Sequence, residues 1–113
     1  MTETRIAVEK TLRRMGANGT KKGFWCLLWA TFIALRDPTI LCEITHRLYP
    51  EVAGLCNMSV TNVARDLRTA VDYCWINGDR DILNEVAGRK LAVKPSVGEF
   101  LDYLCAYLRY QGY

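Results

Sequence analysis

The chain has 113 residues, half of them apolar, and a net charge of +3, which suits one domain with a real core and excludes wholesale disorder. Residues 1–15 are mixed and charged, and the most apolar run, Phe24 to Leu35, is short of the roughly 20 residues that cross a bilayer, so neither a signal peptide nor a membrane span is expected and a cytoplasmic location is. The charge is uneven: residues 1–36 carry seven Lys/Arg against two Glu, and residues 37–113 carry eight against ten Asp/Glu, which argues against a binder that works by charge alone.

Turn signals divide the chain into helical pieces, and no alternating strand pattern extends beyond a few residues. The first helix is predicted over Glu3 to Met15, with Val8, Leu12 and Met15 on one stripe and Gly16 as its stop. Thr20 is placed to cap a second helix from Lys21 to Arg36. Phe24, Leu27, Leu28 and Leu35 form its main face, and Trp25, Trp29, Phe32 and Ile33 make it apolar nearly all round, the pattern of a central helix. Asp37-Pro38 starts a third helix with Ile40, Leu41, Ile44 and Leu48 as its buried stripe.

Tyr49-Pro50 opens a short helix through about Leu55, and Ser59 caps a long one ending near Asn77-Gly78. Asp79 caps a short helix over Ile82, Leu83 and Val86, stopped by Gly88. Arg89 to Lys94 is expected to cross the surface as extended chain. Ser96 and Glu99 have capping-box spacing for a last helix with Val97, Phe100, Leu101, Leu104, Cys105 and Leu108 on its apolar face. The expected fold is all-α: a compact bundle of about six helices in a single domain, residues 1–113.

The stretch from Val52 to Arg68 has helix-turn-helix spacing, with the whole motif over about residues 49–77. Ala53 is small where two helices cross. Asn57 sits where a left-handed backbone is wanted, Met58 plugs the turn, and Val63 and Leu67 hold the second helix on the first. The 3.6-residue period then turns Thr61, Asn62, Arg65 and Arg68 outward, on the part of the helix that enters the major groove in this motif. Arg65 is the best candidate for a bidentate bond to guanine. Arg68 is suited to a base or a phosphate, and Asn62 and Thr61 can also read bases. Ser59 and Thr69 are candidate backbone contacts, as are Lys21 and Lys22. Asp66 is unusual, because an apolar residue is common there. A rival reading keeps the fold and uses its surface to bind RNA polymerase or another regulator without DNA.

The five cysteines, Cys26, Cys42, Cys56, Cys74 and Cys105, have no C-x-x-C pair, and His46 is the only histidine. A zinc site is therefore not expected, and the cysteines read as buried structural residues. Gly16 to Gly23 lacks phosphate-loop spacing and follows a helix. No nucleophile has a triad around it, so neither a cofactor nor catalysis is expected. Trp25, Trp29 and Trp75 are expected in the core. Tyr103, Tyr107 and Tyr110 form a second stripe on the last helix, a candidate contact for a weak or DNA-induced homodimer.

Several local patterns also carry a family resemblance. They are Lys22-Gly23-Phe24, Ile44-Thr45 with Leu48-Tyr49-Pro50, the turn around Asn57, Val63 with Arg65 and Arg68, Trp75 with Gly78, and Lys94-Pro95 before Glu99-Phe100. From about Ile6 onward the chain resembles the C-terminal effector domain of the stage zero sporulation protein A, a response regulator. The resemblance implies a six-helix domain that binds double-stranded DNA boxes near promoters, acts through the sigma subunit of RNA polymerase, and pairs on tandem boxes through its final helix. It also implies that Arg65 and Arg68 are the recognition arginines. Ala64 and Thr69 depart from the glutamate and histidine typical there, so the resemblance does not specify the preferred box. The phosphoryl-accepting receiver domain is expected to be absent.

Overall fold

A computed structural model describes residues 2–113. Among these residues the chain forms six α-helices and no strand: α1 (Thr2–Arg14), α2 (Lys22–Arg36), α3 (Tyr49–Cys56), α4 (Val60–Asn77), α5 (Arg80–Ala87) and α6 (Val97–Tyr110). None of them is long and apolar enough to cross a membrane. α2 packs against α1, α3, α4 and α6, as its broad apolar surface requires. Its Phe24, Leu27, Leu28 and Ile33 join one buried cluster with Val8, Leu12 and Met15 from the N-terminal segment. The same cluster takes in Val63, Leu67 and Val71 of α4, and Phe100, Leu101, Leu104 and Leu108 of α6.

The helix starts follow local chemistry. Ser59 Oγ accepts from the Asn62 N–H, and Asp79 accepts from the amides of Asp81 and Ile82. Ser96 and Glu99 form a full capping box at α6. α2 differs. Its cap is Lys21, which makes no side-chain bond, whereas Thr20 donates its hydroxyl to Asn18 Oδ1. The Asn18 side chain closes a small turn through Thr20 and withdraws it from capping.

Residues 37–48 depart most from expectation. In place of one α-helix there is a 3₁₀ turn over Pro38–Cys42 and a π turn over Ile44–Leu48. They meet at Glu43, whose backbone (φ −141°, ψ 55°) leaves the helical region. Asp37 binds the Thr39 amide and Arg47 Nη2, the latter at 2.7 Å, and Arg47 also reaches Glu43 at 3.8 Å. These ties hold the tight turn against the wide one. Ile40 and Leu48 are buried, but Leu41 and Ile44 are only half-buried.

Trp25, Trp29 and two of the cysteines are also placed differently from expectation, whereas Trp75 packs against the core cluster. Trp25 is 40 % exposed, stacks edge-on against Phe24 and donates Nε1–H to the Gly19 carbonyl. Trp29 and Trp75 are half-buried, and the Arg80 guanidinium lies 3.3 Å over the Trp75 ring. An indole can leave its polar edge toward solvent while its ring covers the core. Cys26, Cys74 and Cys105 are buried, but Cys42 is exposed and Cys56 is half-exposed.

Two carboxylates predict an acid limit to stability. Hydrogen bonds from the Thr39 hydroxyl and from Arg47 hold Asp37 below its ordinary 3.8, and the Ser96 backbone and hydroxyl hold Glu99 below its ordinary 4.5. The unfolded chain binds these protons more readily, so the contribution is complete above the unfolded values and is lost as pH falls through the lower folded ones. The melting temperature should therefore fall below about pH 4.5. It should fall less in the Asp37→Asn, Glu99→Gln double variant, and parallel curves for the two proteins would reject this cause.

Candidate nucleic-acid interface

The turn between α3 and α4 is set by one backbone conformation. Asn57 lies in the left-handed region (φ 53°, ψ 50°), the only non-glycine residue with positive φ among those described. The Asn57 and Met58 amides both donate to the Ala53 carbonyl, closing the end of α3. Ala53 is buried, and Met58 is half-buried against the core. Ser59 then starts α4 with an extended backbone (φ −73°, ψ 154°). Its Oγ accepts from Asn62, which leaves the hydroxyl proton free to donate, and the first-turn amides of Val60 and Thr61 precede the intrahelical ladder.

α4 buries Val63, Leu67, Val71 and Cys74 along one stripe. On the opposite side Thr61, Arg65, Arg68 and Thr69 are exposed, and Asn62 is half-buried at the margin. Arg65 is 62 % exposed, with Nε 3.5 Å from Asp66 Oδ1. Arg65, Arg68 and Thr69 form one wall of a cleft of about 540 Å³ whose far wall includes Lys94 and Ser96. Tyr49 also lines it, and burial raises the phenol's pKa against the opposing pull of Arg68.

Lys21 and Lys22, more than 35 residues earlier in sequence, are brought beside this helix. With Thr69, Ala70 and Tyr73 they line a second depression of about 270 Å³. Gly23 permits the approach, because a Cβ there would lie 2.6 Å from the Asp66 carbonyl oxygen and 2.8 Å from Ala70 Cβ. Asp66 also lines this depression, its side chain only 13 % exposed and its Oδ2 buried without a hydrogen-bond partner. α2 has neither a side-chain cap nor an acidic residue in its first turn. Asp66 lies beside the start of α2 without hydrogen-bonding to it, and its one ion pair is with Arg65.

Sequence reasoning missed Asp72 and Lys94. Asp72 lies seven residues after Arg65 and four after Arg68, on the same helical face. Lys94 Nζ pairs with its Oδ1 at 2.7 Å, which offsets the negative charge of Asp72 on this face. The helical period could have revealed Asp72, but only the fold brings Lys94 to it.

The tyrosine stripe is divided by the fold. The Tyr103 hydroxyl accepts from Arg89 at 2.7 Å, and the Tyr107 hydroxyl donates to Glu85 at 3.0 Å and accepts from Arg14 at 3.4 Å. Both rings are half-buried, whereas Tyr110 is 91 % exposed. Among the described residues no group of three His, Cys, Asp or Glu side chains could hold a metal. A family model described as the sporulation initiation factor Spo0A C terminal matches residues 8–108.

Proposed function

The chain belongs to the family of Spo0A C-terminal domains of sporulation initiation factors, and from that premise we propose that it is a sequence-specific DNA-binding effector domain whose α4 reads the major groove. The observation that carries this reading is the exposed face of Thr61, Arg65 and Arg68, directed away from a stripe fully committed to the core. Arg65 reads a base, and Arg68 a base or a phosphate. Thr61 and Asn62 contribute further base contacts. Ser59, Thr69, Lys21 and Lys22 hold the phosphates on either side, which sets the register of the helix.

Selection of bound duplexes from a random pool tests the reading. An enriched motif is the expected result, and no enrichment even at low salt would reject it. A protein partner is a second reading, favoured by the exposed Trp25 and Leu55 beside the turn. In this reading the fold is kept and its surface binds RNA polymerase or another regulator in place of DNA.

Pairing on adjacent boxes through α6 is the third element of the proposal. Tyr110 is its cleanest probe, because Tyr103 and Tyr107 are tied within the chain. A single helical stripe is too small for an obligate interface, but two copies on one DNA reach an effective concentration on the order of millimolar. Tyr110→Asp should leave single-box affinity unchanged and reduce cooperativity on paired boxes to none. Retained cooperativity in gel-shift titrations would exclude Tyr110 from the contact.

A further inference from the structure

Three sulfur atoms converge where the turn between α3 and α4 rests on α2. Cys26 Sγ lies 3.9 Å from Met58 Sδ, and the Cys26 thiol neighbours that of Cys56, the last residue of α3. All three residues line a groove of about 490 Å³ that also takes in Trp25, Trp29 and Leu55. Cys56 is half-exposed at this groove, while Cys26 is 1 % exposed behind it. Burial first, then the adjacent Cys56 and Asp66, push the Cys26 thiol up to about 12. Cys26 is therefore protonated at neutral pH, and Cys56 is the sulfur that an oxidant in solution meets first.

We propose that Cys26 and Cys56 form a reversible modification site, in which a small-molecule disulfide oxidises the pair to an intrachain disulfide that ties the turn to α2 and weakens DNA binding. In the first step the Cys56 thiolate attacks one sulfur of the small disulfide. A mixed disulfide forms, and one thiolate leaves with the proton Cys56 has given up. Cys26 then gives its proton to solvent base and attacks the Cys56 sulfur as a thiolate, and the second departing thiolate takes up a proton in return. The protein loses two electrons and two hydrogens, and the small disulfide becomes two thiols. To form this bond the Cys26 sulfur leaves Met58, which packs against the core at the turn, and the turn is drawn toward α2 so that α4 shifts against α3. The effect on DNA rests on the function proposed above, whereas bond formation does not.

The test uses the full chain carrying Cys42→Ser, which removes the exposed thiol, incubated with oxidised glutathione. Mass spectrometry with peptide mapping follows the bond, and fluorescence anisotropy on the selected duplex follows affinity. The expected result is a loss of two hydrogens mapped to Cys26 and Cys56, with a tenfold or greater loss of affinity. Both losses should be reversed by dithiothreitol and should not occur after a further Cys56→Ser substitution. Free thiols throughout, an adduct that stops at the mixed disulfide, or a Cys26–Cys56 bond with unchanged affinity would each overturn the proposal. Reduced protein that binds no duplex refutes the DNA reading together with the affinity effect, while the mass still decides whether the bond forms.

Discussion

Arg65→Ala should abolish most of the preference for the selected duplex over a scrambled one while leaving the fold intact. A bidentate arginine–guanine contact contributes about 1–3 kcal/mol of discrimination, so the affinity ratio should fall by roughly 5- to 150-fold. Affinity for scrambled DNA should fall much less, since one of several cationic contacts is removed. The stability cost is small, because the side chain is 62 % exposed and its one ion pair, to Asp66 at 3.5 Å, is weak. Arg65→Lys should resemble the alanine variant in specificity, since an ammonium cannot present the planar fork. The measurement is a pair of binding titrations on the two duplexes, with a thermal melt as control. If Arg65→Ala keeps the parent's ratio, Arg65 is not the base reader.

Gly78→Ala should be the most destabilising of the substitutions considered. A Cβ at Gly78 would collide with the backbone carbonyl oxygens of Met15 and Cys74, and one at Gly16 would lie 2.5 Å from Gly78 Cα. The end of α1 and the end of α4 thus meet through bare backbone, and neither obstructing carbonyl belongs to a side chain that can turn aside. Overpacking of this kind costs about 1–3 kcal/mol and more where the backbone cannot yield, so about 3 kcal/mol or more is expected. For a chain of this size that lowers the melting temperature by more than about 10 °C. Gly54→Ala provides the contrast. Gly54 lies inside α3 with nothing within 4 Å of its would-be Cβ, so alanine there should stabilise by roughly 0.5–1 kcal/mol. Thermal melts of the two variants should shift in opposite directions, and a Gly78→Ala melt within a degree or two of the parent would refute the close approach.

Much of this molecule was determined by the sequence alone, because the deciding interactions are local. Val8, Leu12 and Met15, or Val63, Leu67 and Val71, fall on one side of any helix that contains them. Ser59, Asp79 and Ser96 bond amides two or three residues away, and Asn57 takes a left-handed turn that few residues tolerate. The outward face of α4 follows from the same period, so Arg65 and Arg68 are legible as candidates in the sequence.

Only the tertiary structure decided matters that depend on partners distant in sequence. Residues 37–48 divide into a tight and a wide turn that Arg47 spans by reaching back to Asp37. Trp25 lies outside the core with its Nε1–H on the Gly19 carbonyl, and Tyr103 and Tyr107 are tied by Arg89, Arg14 and Glu85 from other elements. The meeting of Lys94 with Asp72, of Lys21 and Lys22 with Thr69, and of Cys26 with Cys56 joins segments that share no local period. Hydrophobic periodicity says which side of a helix is buried, but not which neighbour buries it. That choice belongs to the packing of the whole chain.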